Sequence, residues 1–282
     1  VLLTTASLEG QHLAKSFFNT GLLGAAGSSG PSDDQFNRVS FLSHFEGSNN
    51  GVNNAFDDGS ASNHTITANG NVTQGSFGPF ARPDGEWGWD FDSGGDYLTT
   101  PYSSDFNFGT GSFTVECFVF LRDLSGIQGI YATSAGSDPV PKWVMYLDDA
   151  TPKIHINALN SSGSLYMNAT TDLTVNTWHH IAYVRNGSTW YWFINGTQAG
   201  TGSNSTNITF SNSEPTYIGL GGESYFTAMN GFISNLRVVN GTALYTSNFT
   251  VPTSALTAVT NTKLLTCQSN RFIDNSTSTH TL

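Results

Sequence analysis

The stretch from Thr177 to Ile194 reads Thr-Trp-His-His-Ile-Ala-Tyr-Val-Arg-Asn-Gly-Ser-Thr-Trp-Tyr-Trp-Phe-Ile. It contains two runs rich in aromatic and β-branched residues, Trp178–Arg185 and Thr189–Ile194, with Asn186-Gly187 between them. Asn-Gly flanked by such runs is the strongest short-range signal of a β-hairpin, because both residues tolerate the positive φ of a tight turn. The stretch therefore predicts two antiparallel strands, and Asn195-Gly196 predicts a further turn directly after them.

The rest of the chain shows the same pattern of short strands and Gly/Asn turns. In Phe113–Phe120 the residues Val115, Cys117 and Val119 alternate with Thr114, Glu116 and Phe118, which predicts a strand with two different faces. Other predicted strands are Val39–Phe45, Glu86–Phe91, Asp96–Thr99, Trp143–Leu147, Lys153–Leu159, Tyr217–Leu220, Phe232–Val239 and Lys263–Cys267. Regular strand spacing without a convincing helix predicts an all-β sandwich or barrel.

Residues 1–35 differ from the remainder and are predicted to form an N-terminal arm with a Gly/Ser linker. Leu8, Leu13, Phe17 and Phe18 supply its apolar side chains, and such a segment cannot bury them alone. We expect the arm to anchor the chain by docking on a partner subunit or on the main domain; a partly ordered tail is the alternative. Residues 36–282 are predicted to form one domain without an internal boundary.

A weak internal repeat relates Asp58–Ile66 to Asp274–Leu282, with an Asp, two serines, a His and a Thr at equal spacing. It pairs His64 with His280, for which a structural role is expected. If the repeat is genuine, we expect the native protein to continue beyond Leu282 with a segment like residues 67–80.

Composition excludes two classes of function. Only 11% of the 282 residues are charged, and 10 basic residues against 21 acids give a net charge of −11. Duplex nucleic acid requires a basic face, so it is not an expected partner. No run approaches the roughly 18 apolar residues of a membrane helix, so insertion into a membrane is not expected either.

Three motifs in one order resemble a known family. Tyr97–Glu116, Thr177–Arg185 with Phe193–Gly196, and Gly231–Val239 are similar to the paired-strand motifs of laminin-G-like, concanavalin-A-like domains. The resemblance implies a two-sheet antiparallel jelly-roll sandwich. This sequence departs from the family's motif at Phe118, where the family usually has Trp. Members of this family often bind Ca²⁺ at a loop rim.

A narrower resemblance concerns Asp33–Gly47, Arg237–Tyr245 and Leu264–Asp274, which look like segments of virion structural proteins of marine tailed bacteriophages. It implies a non-enzymatic protein on the virion surface, as capsid decoration or fibre. The expected partners are other virion proteins, further copies of the chain in a homo-oligomer, and a host cell-surface glycan. The alternative is a secreted or cell-surface carbohydrate-binding adhesin module.

No catalytic residue is predicted. Glycosidases of this architecture place two carboxylates on one strand face, whereas Glu116 is the only acid of its strand. Asp90 and Asp92 have the right spacing but border a Gly-rich turn. A glycoside hydrolase is therefore kept as a remote alternative.

Candidate binding residues come from exposed aromatic and acidic patterns. Trp87, Trp89, Trp190 and Trp192 are the predicted glycan-binding residues, since aromatic rings stack on sugars; core packing is the alternative for each. Ca²⁺ is the one metal considered, because it takes carboxylate and carbonyl oxygens from loops. Its candidate ligands are Asp57, Asp58, Asp92, Asp96, Asp148 and Asp149, with ordinary surface acids as the alternative.

The two cysteines, Cys117 and Cys267, each lie in an apolar run. Two free buried thiols are favoured over one long-range disulfide. His180 is expected to make a structural hydrogen bond.

Overall fold

The computed structural model describes residues 68–75, 77–80, 87–133, 142–148, 153–160, 163–209, 215–222, 225–268, 276–278 and 280. All of them belong to one compact unit, Ser48–Leu282. The predicted arm, with Leu8, Leu13, Phe17 and Phe18, and the strand predicted at Val39–Phe45 lie outside the described residues. The described part contains no helix with the length and apolar character of a membrane span.

Two antiparallel sheets form the fold, as predicted. In spatial order, the seven-stranded sheet consists of β1 (Ala68–Asn69), β4 (Tyr97–Thr100), β13 (Thr216–Ile218), β6 (Gln128–Thr133), β7 (Lys142–Asp148), β8 (Lys153–Asn160) and β9 (Gly163–Asn168). The eight-stranded sheet consists of β12 (Thr197–Ser203), β11 (Thr189–Ile194), β10 (Trp178–Asn186), β5 (Phe113–Leu121), β14 (Asn230–Asn240), β3 (Gly88–Asp92) and β2 (Thr73–Gly75), with β15 (Thr262–Thr266) also paired to β14.

The hairpin predicted from Trp178 to Ile194 is present as β10 and β11. Ile181 pairs with Ile194 and Asn186 with Thr189, so the two loop residues are Gly187 and Ser188. The next turn connects β11 to β12 through Asn195 (φ 50°) and Gly196 (φ 74°). Both conformations suit an Asn-Gly turn of the type that matches strand twist.

Large aromatic side chains fill the space between the sheets. Phe113 of β5 meets Trp143 of β7 and Trp190 of β11 edge-on, with ring centroids 5.8 Å and 5.4 Å apart. All three side chains are fully buried. Burial of each such ring contributes about 2–3 kcal/mol, so this inter-sheet core is the main source of stability.

The alternation predicted for β5 separates two environments. Val115, Cys117 and Val119 point into the inter-sheet core. Glu116 and Phe118 point to the outer face of the eight-stranded sheet, which the chain itself covers with residues 241–261, named here the covering segment. Its Tyr245 and Phe249 pack on the sheet residue Phe193, while Val251 and Leu256 pack on Phe118. Both faces of β5 are therefore buried.

The strands β3 and β4 are neighbours in the sequence but belong to different sheets. The Gly-rich turn that Asp90 and Asp92 border, residues 93–95, thus carries the chain from one sheet to the other. Ser93 (φ 66°) and Gly95 (φ 91°) both adopt left-handed conformations there.

Both cysteines are free thiols buried in the core, as favoured from the sequence. Burial raises the pKa of each thiol well above its ordinary value. Of the second copy of the proposed repeat, residues 276–278 and 280 are described. His280 Nε2 lies 3.2 Å from Asp105 Oδ2, which is a structural contact.

Candidate functional site

A buried cluster of charged groups lies under the covering segment. Glu116 of β5 is directly opposite Arg237 of β14, and its neighbour Phe118 is opposite His180 of β10. Because β5 lies between β10 and β14, side chains from three strands converge on the same outer face. The side chains of Glu116 and His180 are wholly inaccessible to solvent, and that of Arg237 is nearly so.

Both oxygens of the Glu116 carboxylate are fully engaged. Oε1 accepts hydrogen bonds from Arg237 Nε at 2.9 Å and Nη2 at 2.6 Å. Oε2 accepts one from Tyr245 Oη at 3.0 Å and lies 3.0 Å from His180 Nε2. Arg237 Nη1 also donates to the carbonyl oxygen of Thr257 at 2.7 Å. Two points of the covering segment are thereby tied to the sheet.

Electrostatics keep Glu116 ionised. Burial alone would raise the pKa of Glu116, but the hydrogen bond from His180 and the charge of Arg237 outweigh it, so the pKa lies below its ordinary value. Burial, reinforced by the neighbouring carboxylate, raises the pKa of the Tyr245 hydroxyl. A carboxylate with this many partners is a structural anchor rather than a general acid or base.

The sequence showed that Glu116 is the only acid of its strand, as the structure also has it. It predicted a structural hydrogen bond for His180, and the contact between His180 Nε2 and Glu116 confirms this prediction. Arg237 and Tyr245 were missed as its partners. The sequence did contain a signal for a buried cationic partner, namely an acid on a strand whose two faces are otherwise mainly apolar, because a buried carboxylate needs a cation nearby.

A very different surface lies on the outer face of the seven-stranded sheet. It carries five aromatic residues, named here the tyrosine face: Tyr97, Tyr146, Tyr217, Tyr225 and Phe226. The rings of Tyr97 and Tyr217 are 5.7 Å apart, while Phe226 contacts Tyr146 at 5.2 Å and Tyr225 at 5.4 Å. Tyr217 also packs against the small cluster that contains Tyr146 and Phe226, so the five residues form one patch.

Strand alternation explains why these rings face outward. Leu98, Met145 and Ile218 belong to the inter-sheet core, and the residues directly before or after them in the strand point the other way. Tyr146 and Phe226 are buried and form the floor of the patch. Tyr97 and Tyr217 are half-buried, whereas Tyr225 is 65% exposed. The patch can therefore present flat aromatic surface and phenolic hydroxyls to a ligand.

Three of the four predicted glycan-binding tryptophans lie in the inter-sheet core and not on an outer face. Trp89 and Trp190 are fully buried and Trp192 is 6% exposed, all in the inter-sheet core. A ring enclosed between two sheets cannot stack on a sugar, so the prediction is wrong for these three and core packing, the alternative, is correct. Trp87 is half-buried and stays a prediction. The physical reason is register, since these positions alternate inward on β3 and β11.

The predicted calcium ligands are only partly described. Asp92 Oδ1 accepts a hydrogen bond from Gly94 N at 2.9 Å, and Asp96 accepts bonds from the backbone N–H groups of Asn71 and Asp92 at 2.6 Å and 3.0 Å. These bonds shape the turn between the sheets. Asp148 is half-buried at the end of β7, and Asp57, Asp58 and Asp149 lie outside the described residues. No group of three or more His, Cys, Asp or Glu within the described ranges could hold a metal ion. Calcium binding stays a prediction.

Comparison with known families identifies the domain. Residues 92–246, more than half of the chain, match a laminin-G-type family model described as the concanavalin A-like lectin/glucanases superfamily. The chain belongs to this superfamily. The match spans β4 to β14 and thus includes strands of both sheets. No curated protein matches the sequence.

Several solved structures are similar to the concanavalin A-like chain. They include domain 4 of AbnA, a GH43 extracellular arabinanase from Geobacillus stearothermophilus in complex with arabinotriose (TM-score 0.49, 15% identity, covering 64% of this chain and 84% of that one). The binding domain of Paraclostridial Mosquitocidal Protein 1 has a TM-score of 0.48 and 16% identity, covering 67% and 47%. The Ruminococcus gnavus IT-sialidase CBM40 bound to α2,3 sialyllactose has a TM-score of 0.44 and 12% identity, covering 56% and 91%.

Proposed function

We propose that this chain is a non-enzymatic carbohydrate-binding module and that the tyrosine face is the surface that contacts the sugar. The observation that carries the proposal is a contiguous aromatic patch with a buried floor, Tyr146 and Phe226, and an exposed ring, Tyr225. Aromatic rings stack on the apolar faces of sugar rings, and tyrosine hydroxyls pair with sugar hydroxyls.

Family membership supports a carbohydrate ligand. The superfamily is named for lectins and glucanases, and both classes recognise carbohydrate. On a two-sheet scaffold a broad sheet face suits an extended glycan better than a compact substrate. The tyrosine face spans β4, β13 and β7 together with the loop that carries Tyr225 and Phe226.

The acidic residues discussed as catalytic candidates already have hydrogen-bond or ion-pair partners, which supports the proposal that the module is non-enzymatic. Glu116 is fully paired and buried. Asp90 Oδ1 lies 2.6 Å from Arg122 Nη1, so the pair Asp90 and Asp92 is occupied by an ion pair and a turn. Most glycosidases hydrolyse the bond with two carboxyl groups that flank it and are free to react.

We further propose an extracellular location, with the virion surface of a bacteriophage as the specific candidate. This finer assignment depends on the resemblance of Asp33–Gly47, Arg237–Tyr245 and Leu264–Asp274 to phage virion segments. Other virion proteins and further copies of the chain remain its proposed partners. The competing location is a secreted or cell-anchored adhesin.

Glycan binding is tested by screening the purified chain against a panel of bacterial surface and algal polysaccharides, then repeating the positive titrations with Tyr225→Ala and Tyr97→Ala. Each variant is expected to weaken binding about two- to tenfold, since a stacked ring contributes roughly 0.5–1.5 kcal/mol. Tyr191→Ala is the matched control, because Tyr191 is a half-buried tyrosine on the other sheet. Equal affinity of all three variants and the parent chain would contradict the proposal.

The location is tested by mass spectrometry of purified phage particles and by imaging them with an antibody to the chain. Deletion of residues 1–35 is expected to abolish incorporation into particles. Unchanged incorporation, or recovery of the chain from host cell surfaces instead, would favour the adhesin location.

A further inference from the structure

The strand β12 forms one edge of the eight-stranded sheet, where β11 is its neighbour on the inner side. An edge strand presents backbone N–H and C=O groups on its outer side, and these groups can pair with a further strand. Proteins usually protect such an edge with charged side chains, proline, a β-bulge or a covering loop. The two halves of β12 differ in this protection.

The first half of β12, residues 197–199, is protected. A β-bulge at Ala199 interrupts the regular pairing with β11. The backbone N–H of Gln198 donates to Asn248 Oδ1 at 2.8 Å. The carbonyl oxygen of Ala199 accepts hydrogen bonds from the backbone N–H of Thr170 at 2.8 Å and from its hydroxyl at 2.7 Å. This part of the edge therefore has no room for another strand.

The hairpin between β10 and β11 fixes the direction of the backbone groups farther along. Asn186 and Thr189 are the last pair before its two-residue loop, and in such a hairpin this pair exchanges its hydrogen bonds between the two strands. The adjacent residue Ser188 then directs its carbonyl oxygen to the other side, where it accepts a hydrogen bond from Asn204 N at 2.8 Å. Residues of β11 thus alternate between bonding β10 and bonding β12.

The same alternation assigns the groups in the second half of β12. Trp190 pairs with Gly202, so Gly202 directs its N–H and C=O toward β11. The flanking residues Thr201 and Ser203 therefore direct theirs outward, away from the sheet. In the described part of the chain, no residue bonds the outward backbone groups of Thr201 or Ser203. Residues 201–203 are an open stretch of edge.

The open stretch also lacks charge. Residues 186–213 contain no Asp, Glu, Lys or Arg, although the whole chain has a net charge of −11. The side chains of Thr201 and Ser203 are exposed. Two copies of an acidic chain repel each other over most of their surfaces, so a neutral strand is where they can approach most closely. This property favours a second copy of the chain as the occupant of the edge.

The open stretch is complementary to itself. In an antiparallel arrangement about a two-fold axis through Gly202, Thr201 of one copy lies opposite Ser203 of the other, and each such pair exchanges both of its N–H···O bonds. All outward groups of the stretch then have partners. Gly202 meets its equivalent on the axis in a non-hydrogen-bonded pair, where the Cα atoms are only about 4.5 Å apart. Glycine permits this approach without side-chain contact.

We propose that β12 is the surface through which two copies of this chain associate, with Thr201 of each copy paired to Ser203 of the other and Gly202 on the two-fold axis. The two eight-stranded sheets then form one continuous sheet. The contact is short, and we expect a dissociation constant of about 0.05–0.5 mM. The tyrosine face lies on the other sheet, so this proposal does not depend on glycan binding there.

Sedimentation equilibrium of the full chain, from about 10 µM to about 0.5 mM, measures the association. Thr201→Lys combined with Ser203→Lys places like charges opposite each other across the axis, and at least about tenfold weaker association is expected. Thr197→Lys combined with Gln198→Lys is the matched control, since it adds the same charge to exposed residues of the protected half. This control is expected to associate like the parent chain.

A complementary variant separates charge repulsion from a defect in folding. Thr201→Glu combined with Ser203→Glu is expected to be monomeric by itself for the same reason as the lysine variant. An equimolar mixture of the two variants places Lys opposite Glu at every pair, so a heterodimer at least as stable as the parent dimer is expected. A misfolded variant would not regain association on mixing.

Amide hydrogen exchange, followed by ¹⁵N–¹H NMR, locates the contact. The amides of Thr201 and Ser203 are expected to exchange about two- to fourfold more slowly at 0.5 mM than at 20 µM chain, because pairing removes them from water. The amide of Gly202 bonds to β11 in both states and is the internal control, with an unchanged rate.

Three results would overturn the proposal. One is a chain that stays monomeric at every concentration, which would leave the edge for an extended segment of a different protein. Another is association of the Thr201→Lys, Ser203→Lys variant equal to that of the control. The third is slowed exchange confined to other amides. Glycan titrations with the lysine variant are expected to match the parent chain, so this proposal and the proposed function fail separately.

Discussion

The outer faces of the two sheets are built in opposite ways. The eight-stranded sheet is covered by residues 241–261, which the Tyr245 hydroxyl ties to Glu116 and the Thr257 carbonyl oxygen ties to Arg237. The seven-stranded sheet instead shows a patch of tyrosines, of which Tyr225 is 65% exposed. Buried polar bonds that connect distant segments stabilise a fold, whereas exposed aromatic surface is available for contact. The covered face therefore contributes stabilising bonds, and the tyrosine face is the proposed binding surface.

The largest expected effect comes from breaking the ion pair with Glu116→Ala. The substitution leaves the buried guanidinium of Arg237 uncompensated, and we expect a loss of about 3–5 kcal/mol in the free energy of unfolding. Urea denaturation measures it, with Gln198→Ala at an exposed polar residue as the control, for which a change below about 0.5 kcal/mol is expected.

A second variant protects this test from a general packing defect. Glu116→Leu combined with Arg237→Met removes both charges and keeps apolar volume, so the pair should recover much of the lost stability. If the double variant is no more stable than Glu116→Ala, packing rather than charge is responsible.

The same anchor predicts a dependence on pH. The pKa of Glu116 is lower in the folded protein than its ordinary value of 4.5, so the stabilisation it supplies is complete above that value and is lost as pH falls through the folded pKa. The difference in unfolding free energy between the parent chain and Glu116→Gln should therefore shrink in acid. Because other acids titrate equally in both chains, a constant difference across this range would contradict an ionised anchor.

A smaller effect is expected when the covering segment loses one bond. Tyr245→Phe removes the 3.0 Å hydrogen bond to a buried carboxylate, and such bonds contribute about 1.5–3 kcal/mol. Tyr191→Phe, on the same outer face, is the control with an expected change near zero. Denaturation midpoints compare the two, and equal values would mean that the hydroxyl of Tyr245 does not hold the segment.

The smallest effect on stability is expected at the tyrosine face. Tyr225→Ala should change the unfolding free energy by less than about 0.5 kcal/mol while it weakens glycan binding. Thermal unfolding and a binding titration on the same sample make the contrast direct. A large loss of stability here would break the distinction between the two faces.

Local patterns predicted most of the strands. The Asn-Gly signals at 186–187 and 195–196 led correctly to β10, β11 and the turn after β11, and the alternation at residues 113–120 led to β5. The strands β1, β2, β6, β9 and β12 were not predicted, because segments of two to seven residues, most of them with glycine, carry little periodicity.

The candidate site was harder to predict. Trp190 and Trp192 alternate with Tyr191 and Phe193 on one strand, and an aromatic pattern on both faces does not reveal which face is inside. The tyrosine face draws on Tyr97, Tyr146, Tyr217 and Tyr225, which come from four separate parts of the chain. Glu116 meets Arg237 across 121 residues of sequence.

By itself, the sequence determined what depends on neighbours within one strand or turn: an all-β chain, its hairpins, the two-faced strand at 113–121 and a family resemblance that the superfamily match confirmed. Only the tertiary structure decided which face of each strand is buried, which aromatic residues remain exposed, and where the partners of Glu116 lie. The reason is physical. Turn conformation and side-chain alternation are local properties, whereas burial and charge pairing depend on which distant strand or segment covers a given face.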